Sequence, residues 1–195
     1  MLGGFTHFDG ERWTNHGLAA YPYRLSNTLW GRSRNEVWLQ TIGDLLRFDA
    51  DTGLFSFDST WMATHLSGDT SGSFAWALDP RMHQLRQYGG GTWFQGPSLA
   101  ALGRPDAVVS RGQNEVWVAY NDRTVHRWDG TSFTPLALAP GSGRSVTLAN
   151  AGSEVWLLWA GDSAGGDTVY STTDGLTWTP RRGAPNARLN SISAT

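Results

Sequence analysis

The chain has 195 residues, a formal net charge of −2 with the two signs interspersed, and no cysteine. This excludes disulfides and thiolate metal sites, leaves no basic stripe for nucleic acid, and includes no apolar run of 18 residues that would span a membrane as a helix. Its 11 tryptophans and 24 glycines point instead to large apolar wedges joined by many tight turns.

In chain order, residues 1 to 16 give a strand over Phe5–Phe8, a turn at Asp9-Gly10 and a short strand through Trp13. The opening MLGGFTHFDG has no basic region followed by an apolar stretch, so no signal peptide is expected there. A connection, GLAAYPYRLSN at 17 to 27, carries Tyr21, Pro22 and Tyr23. The unit at about 26 to 60 then supplies four strands, near Thr28–Gly31, Glu36–Thr41, Leu45–Phe48 and Leu54–Phe57. The unit at about 62 to 97 is degenerate: SGDTSGS replaces the polar turn and Asp79-Pro80 interrupts the chain after the Trp76 strand, so its first strand should be the least regular. The unit at 106 to 137 is the cleanest, and that at 145 to 180 carries an insertion, GDSAGGD at 161 to 167. Residues 188 to 195 offer one further inner strand, with Ile192 aligned to Leu148 and Val109.

Three columns share one period. Trp38, Trp76, Trp117 and Trp156 recur at steps of 38, 41 and 39 residues. An apolar residue three places before a turn-opening residue recurs as Phe5/Phe8, Leu45/Phe48, Leu85/Tyr88, Val125/Trp128 and, more weakly, Tyr170/Thr173. Trp13, Phe55, Trp93, Phe133 and Trp178 close those turns. A period near 40 built from short strands, without a 3.6-residue rhythm, indicates an all-β propeller of four-stranded antiparallel blades. The chain reads as one domain over 1–195 with about five blades, incomplete at the termini. A blade shared between the termini would lack its second strand. Another chain could supply it, the ring could close imperfectly, or the chain could belong to a longer protein; the last is favoured.

The column tryptophans are expected to fill the core between blades rather than to stack on sugars or bases. Asp9-Gly10, Gly89-Gly90, Asp129-Gly130 and Asp174-Gly175 are expected to form tight primed turns, whereas Asp49 to Gly53 makes a wider hairpin with Gly53 left-handed.

NEVWLQTIGDLLRFDADTGLFSF resembles, over 23 residues, the propeller repeat of sensor regions in hybrid two-component regulators. NEVWVAYNDRTVHRWDGTSF is similar to repeats of bacterial surface and secreted propellers, and STTDGLTWTP to the Asp-box turn of sialidase-type propellers, one residue short between Asp174 and Trp178. These resemblances imply the fold, and an extracellular or cell-surface setting, but no activity. The sialidase set of an arginine triad and a tyrosine nucleophile is not recognisable, and Asp174 is expected to cap its own turn.

His7, His16, His65, His83 and His126 form no repeated site and no metal-binding spacing, and Asp49, Asp51 and Gly53 offer too few oxygens for calcium. No nucleophile elbow or phosphate loop is present, so neither metal nor cofactor is expected. What remains is recognition. The loops joining strand two to three and strand four to the next blade gather on one face, which should collect Tyr21, Tyr23, Trp61, Arg81, His83, Tyr120, Asp122 and the 161 to 167 insertion. The expected function is a non-enzymatic recognition or scaffolding module with a protein or surface partner. A carbohydrate-binding propeller is the alternative and a sialidase-like hydrolase the third reading. Self-association, or association with the rest of a longer chain, could complete the ring.

Overall fold

The structure is a computed structural model that describes residues 4–8, 11–17, 26–33, 36–41, 44–49, 51–57, 61–69, 73–103, 105–120, 124–136, 143–161 and 167–181. Every regular element among them is a strand. A two-stranded hairpin comes first, β1 (Gly4–Phe8) with β2 (Trp13–Gly17). Four four-stranded sheets follow. Blade one holds β3 (Ser26–Ser33), β4 (Glu36–Thr41), β5 (Leu45–Asp49) and β6 (Leu54–Phe57). Blade two holds β7 (Leu66–Gly68), β8 (Ala75–Asp79), β9 (Gln84–Gly89) and β10 (Thr92–Ser98). Blade three holds β11 (Pro105–Gly112), β12 (Glu115–Tyr120), β13 (Val125–Trp128) and β14 (Phe133–Leu136). Blade four holds β15 (Gly143–Ala151), β16 (Glu154–Gly161), β17 (Thr168–Thr172) and β18 (Thr179–Arg181). Each sheet is an antiparallel meander in sequence order, so connections alternate between the two faces of the propeller. The inner strand of the degenerate unit, β7, is the shortest of the four at three residues, but its register with β8 is unbroken, whereas β3, β11 and β15 each carry a register shift, so it is not the least regular.

The inner strands are tied to one another across blades. Ser110 N–H donates to Ser67 Oγ at 3.0 Å and Asn150 Nδ2 donates to Ser110 O at 3.0 Å. Farther out, the apolar columns build three seams of one design. Trp38 lies with Tyr88 and Trp93 of blade two, Trp76 with Trp128 and Phe133 of blade three, and Trp117 with Tyr170 and Trp178 of blade four. Trp38, Trp76 and Trp117 thus each share a core cluster with two outer-hairpin rings of the next blade. Trp38, Trp76 and Trp117 are 0%, 2% and 0% exposed, so these columns are core. One indole fills the wedge at each seam, stabilising it by about 2–3 kcal/mol of area burial.

A second column accompanies the first. Glu36 pairs with Arg47 at 3.3 Å, Glu115 with Arg127 at 3.1 Å, and Glu154 with Arg181 at 3.3 Å. In each case the guanidinium lies over the blade's tryptophan, at 5.8 Å from Trp38, 5.8 Å from Trp117 and 5.7 Å from Trp156. Arg111 strengthens the third seam by pairing with Glu115 at 2.6 Å and donating to Ser153 O and Thr173 O of blade four at 2.6 and 2.9 Å. Burial opposes ionisation of Glu115, but the bonds and charges of Arg111 and Arg127 outweigh it and hold the carboxyl below the usual range.

The outer turns depart from the expected geometry. At Gly89-Gly90 the primed turn sits one residue later, on Gly90 and Gly91, with φ of 58° and 88°. Asp129-Gly130 and Asp174-Gly175 are not two-residue turns. Trp128 pairs with Phe133, leaving a four-residue loop, and six residues separate β17 from β18. The glycines do take positive φ, 99° and 71°, while the aspartates act as caps. Asp129 Oδ1 accepts from Thr131 N–H and Ser132 N–H, each at 2.8 Å, and Asp174 Oδ1 from Leu176 N–H and Thr177 N–H at 2.8 and 2.7 Å. Those donors pull Asp129 down to about 2 and also lower Asp174. Gly53 is left-handed as the sequence predicts, at φ 69°, and Asp49 caps the loop by accepting from Asp51 and Thr52 N–H.

Gly175 shows how tightly a turn is keyed to a seam. Trp117 Nε1 donates to Gly175 O at 3.3 Å, and a Cβ on Gly175 would stand 2.6 Å from Trp117 Cζ2 in a ring that is fully buried. Gly175→Ala is therefore expected to lower unfolding stability by about 2 kcal/mol, combining left-handed strain with overpacking, measured by urea titration. A change under about 0.5 kcal/mol, the surface norm, would contradict the seam geometry.

Candidate functional site

The face formed by the strand-two-to-three loops and the inter-blade crossings is best defined at blade two. Its centre is the β8–β9 loop, Asp79-Pro80-Arg81-Met82-His83. Asp79 ends a strand buried on both sides and is 1% exposed. Its Oδ1 accepts from Arg81 N–H at 3.2 Å and Met82 N–H at 3.1 Å, and its Oδ2 accepts from Arg86 Nη2 at 3.3 Å. Pro80 sets the first corner, because its ring fixes φ. The loop closes on His83, whose φ is +47°. This is the geometry of Asp49 to Gly53 repeated, with histidine in the position that holds glycine there.

The far side of the loop is anchored as well. Leu99 N–H donates to His83 O at 2.6 Å, and Leu99 is itself 0% exposed. Gln84 Nε2 donates to Gly96 O at 2.9 Å. Backbone fixed at both ends thus presents three exposed side chains, Arg81, Met82 at 63% exposure, and His83. Beside them the Arg86 guanidinium lies 5.4 Å from the Trp61 ring, which packs edge-on to Trp93 at 5.4 Å.

Two further polar groups lie beneath this face. Gln40, 1% exposed, donates through Nε2 to Ala63 O at 3.2 Å. His65 has its Nδ1 shielded from solvent, and burial pushes its pKa down to about 4. The backbone around it is pinned to β8 by Thr64 N–H to Leu78 O and Leu78 N–H to His65 O, both 3.0 Å.

The structure sorts the sequence-predicted face residues into three groups. Arg81 and His83 are exposed together on one turn. Trp61 is half-buried, one side on the core of blades one and two and the other under Arg86. Tyr120 does not belong to the face: it is 1% exposed, sits in the core with Trp76 and Leu99, and meets His126 edge-on at 5.3 Å. Val116, Val118 and Tyr120 alternate onto one side of β12, so Tyr120 continues the buried row rather than opening the loop. Tyr21, Tyr23, Asp122 and most of the 161 to 167 insertion lie outside the described residues. Sequence reasoning takes Asp79-Pro80 only as an interruption of the chain and passes over Arg86 and Met82. The signal for Asp79 was present as an Asp-Pro pair directly after a buried strand, which is a turn-initiating pattern.

Among the described residues, no three His, Asp or Glu side chains gather closely enough to hold a metal ion, and no helix is long and apolar enough to cross a membrane. A polar cavity of about 290 Å³ lies on blade four, lined by Glu154, Ser171, Thr172, Asp174, Thr179 and Arg181 among others.

No protein-family model and no curated protein sequence matches the chain. Solved structures do. Streptogramin B lyase aligns with a TM-score of 0.73 at 13% identity, over 97% of this chain and 66% of its own. A chain of the nidogen/laminin complex aligns at 0.67 and 12% identity, over 97% and 75%. YCF48 bound to a D1 peptide aligns at 0.63 and 17% identity, over 87% and 57%. The fold is a β-propeller. The propeller arc described above spans 57–75% of the length of these three matched chains.

Proposed function

We propose that this propeller is a non-enzymatic recognition module that binds a protein partner through the loop face of blade two. The observation that supports this is the Arg81-Met82-His83 turn. A histidine at φ +47° costs on the order of 1–2 kcal/mol relative to glycine, and the same chain uses glycine, Gly53, at the matching position of the similarly capped β5–β6 loop. Strain retained on an exposed and doubly anchored loop is what a presented side chain requires. An arginine, a methionine and an imidazole on fixed backbone form the mixed polar and apolar anchor typical of protein interfaces. Protein or peptide complexes among the fold neighbours, the D1 peptide on YCF48 and laminin with nidogen, are consistent with this use of a propeller. A propeller also serves as a lyase, so the proposal rests on the turn and not on the fold.

The test compares wild type with an Arg81→Ala/Met82→Ala/His83→Gly variant as affinity bait, with retained proteins quantified by mass spectrometry. At least one protein is expected to fall about tenfold or more on the variant, the effect of losing one interface anchor. The melting temperature should hold or rise, since glycine relieves the positive φ. An unchanged retained set would overturn the proposal. A carbohydrate-binding reading draws on the polar cavity of blade four, and glycan-array binding that survives the triple substitution would favour it.

A further inference from the structure

The chain has 15 arginines and no lysine, so its fixed cations can be compared like with like. Five of them serve the fold in one way. Arg47, Arg86, Arg111, Arg127 and Arg181 each pair with a carboxylate at 2.6–3.3 Å. Each also lies over a tryptophan at 5.0–5.8 Å, Arg181 over the half-buried Trp156. Arg81 does neither among the described residues, although Asp79 stands two positions away. That carboxylate is 1% exposed, and its oxygens already accept from Arg81 N–H, Met82 N–H and Arg86 Nη2. The surface of the turn therefore keeps the charge of Arg81 beside the exposed His83 ring, with Met82 between them at 63% exposure.

We infer that this turn docks an acidic segment of a protein partner, in which a carboxylate meets Arg81 and a neighbouring apolar side chain covers Met82. The inference rests on the proposed function and adds the chemistry of the partner. A guanidinium matches a carboxylate with two parallel N–H donors, and Arg81 has no described ion pair to break first. The imidazole of His83 carries at least one N–H in either protonation state and supplies a further donor. A flexible thioether between them adapts to many apolar shapes, which sets an apolar residue next to the acid. Phosphate suits the turn less well. Phosphate sites on loops draw on convergent backbone N–H groups, and here those of Arg81 and Met82 point inward to Asp79. The bond from Leu99 N–H to His83 O fixes the backbone beforehand, so little ordering is needed on docking.

The test is an array of 12-residue peptides with shared, varied flanks and one of four cores: Glu-Leu-Glu, Gln-Leu-Gln, phosphoserine-Leu-phosphoserine or Arg-Leu-Arg. The protein is expected to bind the Glu set about tenfold more strongly than the Gln set, as a charge-assisted contact does, and less so in high salt. Arg81→Glu, at an exposed position, should keep the melting temperature while losing the Glu set and gaining the Arg set. A merely structural arginine would not reverse the preference. Equal binding of the Glu and Gln sets, or a Glu preference unmoved by Arg81→Glu, would overturn the inference and leave the loop as a recognition surface. Stronger binding of the phosphoserine set than of the Glu set would overturn it in favour of phosphate recognition. Binding of the Glu set that survives Arg81→Ala/Met82→Ala/His83→Gly would remove the proposed function along with it. Silence from all four sets would overturn the inference alone, since the affinity-bait comparison with folded partners is independent of it.

Discussion

Trp117→Ala is expected to lower unfolding stability by about 3–5 kcal/mol. The ring is fully buried in the seam between blades three and four, beneath Tyr170 and Trp178. Removing it leaves a cavity bounded by strands that cannot collapse, because Arg111 holds blade four from both Ser153 O and Thr173 O. Truncation also strips the Arg111 and Arg127 guanidiniums of the π-face they occupy at 5.0 and 5.8 Å. The contrast is Trp13→Ala. That side chain is 69% exposed, so its loss should change the stability of dilute protein by no more than about 0.5 kcal/mol. Urea titration of both variants checks the pair, and equal losses would contradict the assignment of the column to the core.

The second large effect is a dependence on pH set by His65. Burial lowers its pKa to about 4, whereas in the unfolded chain it titrates at the ordinary 6.5. The folded state therefore favours the neutral ring. Its full contribution is present above pH 6.5 and is lost progressively as pH falls toward 4, because the unfolded chain binds the proton first. Over that window stability should fall by roughly 3 kcal/mol. His65→Gln should flatten the profile between those limits. A separate loss follows at lower pH, between the ordinary aspartate value of 3.8 and about 2, as the Asp129 cap is protonated. Urea midpoints taken from pH 8 to 3 distinguish the two: a wild-type profile flat between 6.5 and 4 would show that the ring is solvated in the fold.

The repeat made the architecture legible because each column answers one physical demand. A wedge between blades needs a large indole, so Trp38, Trp76 and Trp117 could be placed in the core from spacing alone. The strands of blade one follow the sequence boundaries closely, with β4 and β6 at Glu36–Thr41 and Leu54–Phe57 as read. The turns were less legible. An Asp-Gly pair marks a left-handed glycine, but loop length depends on which residues of the two strands face each other, as Trp128 and Phe133 show. The Glu–Arg–Trp column was missed since its arginine changes strand, standing on β5 and β13 as Arg47 and Arg127 but on β18 as Arg181. Arg81 and His83 could be placed on an exposed loop because the loop rule is topological. Tyr120 was misplaced because alternation along β12 carries it inward at the strand end.

Fluorine NMR of protein labelled with 5-fluorotryptophan, assigned by single Trp→Phe substitutions, tests the central claim that the repeated tryptophans are architecture. In dilute protein the resonances of Trp38, Trp76 and Trp117 should show no shift on exchanging water for deuterium oxide, while those of Trp13 and Trp156 should move. A solvent shift at Trp38, Trp76 or Trp117 comparable to that of Trp13 would contradict the account.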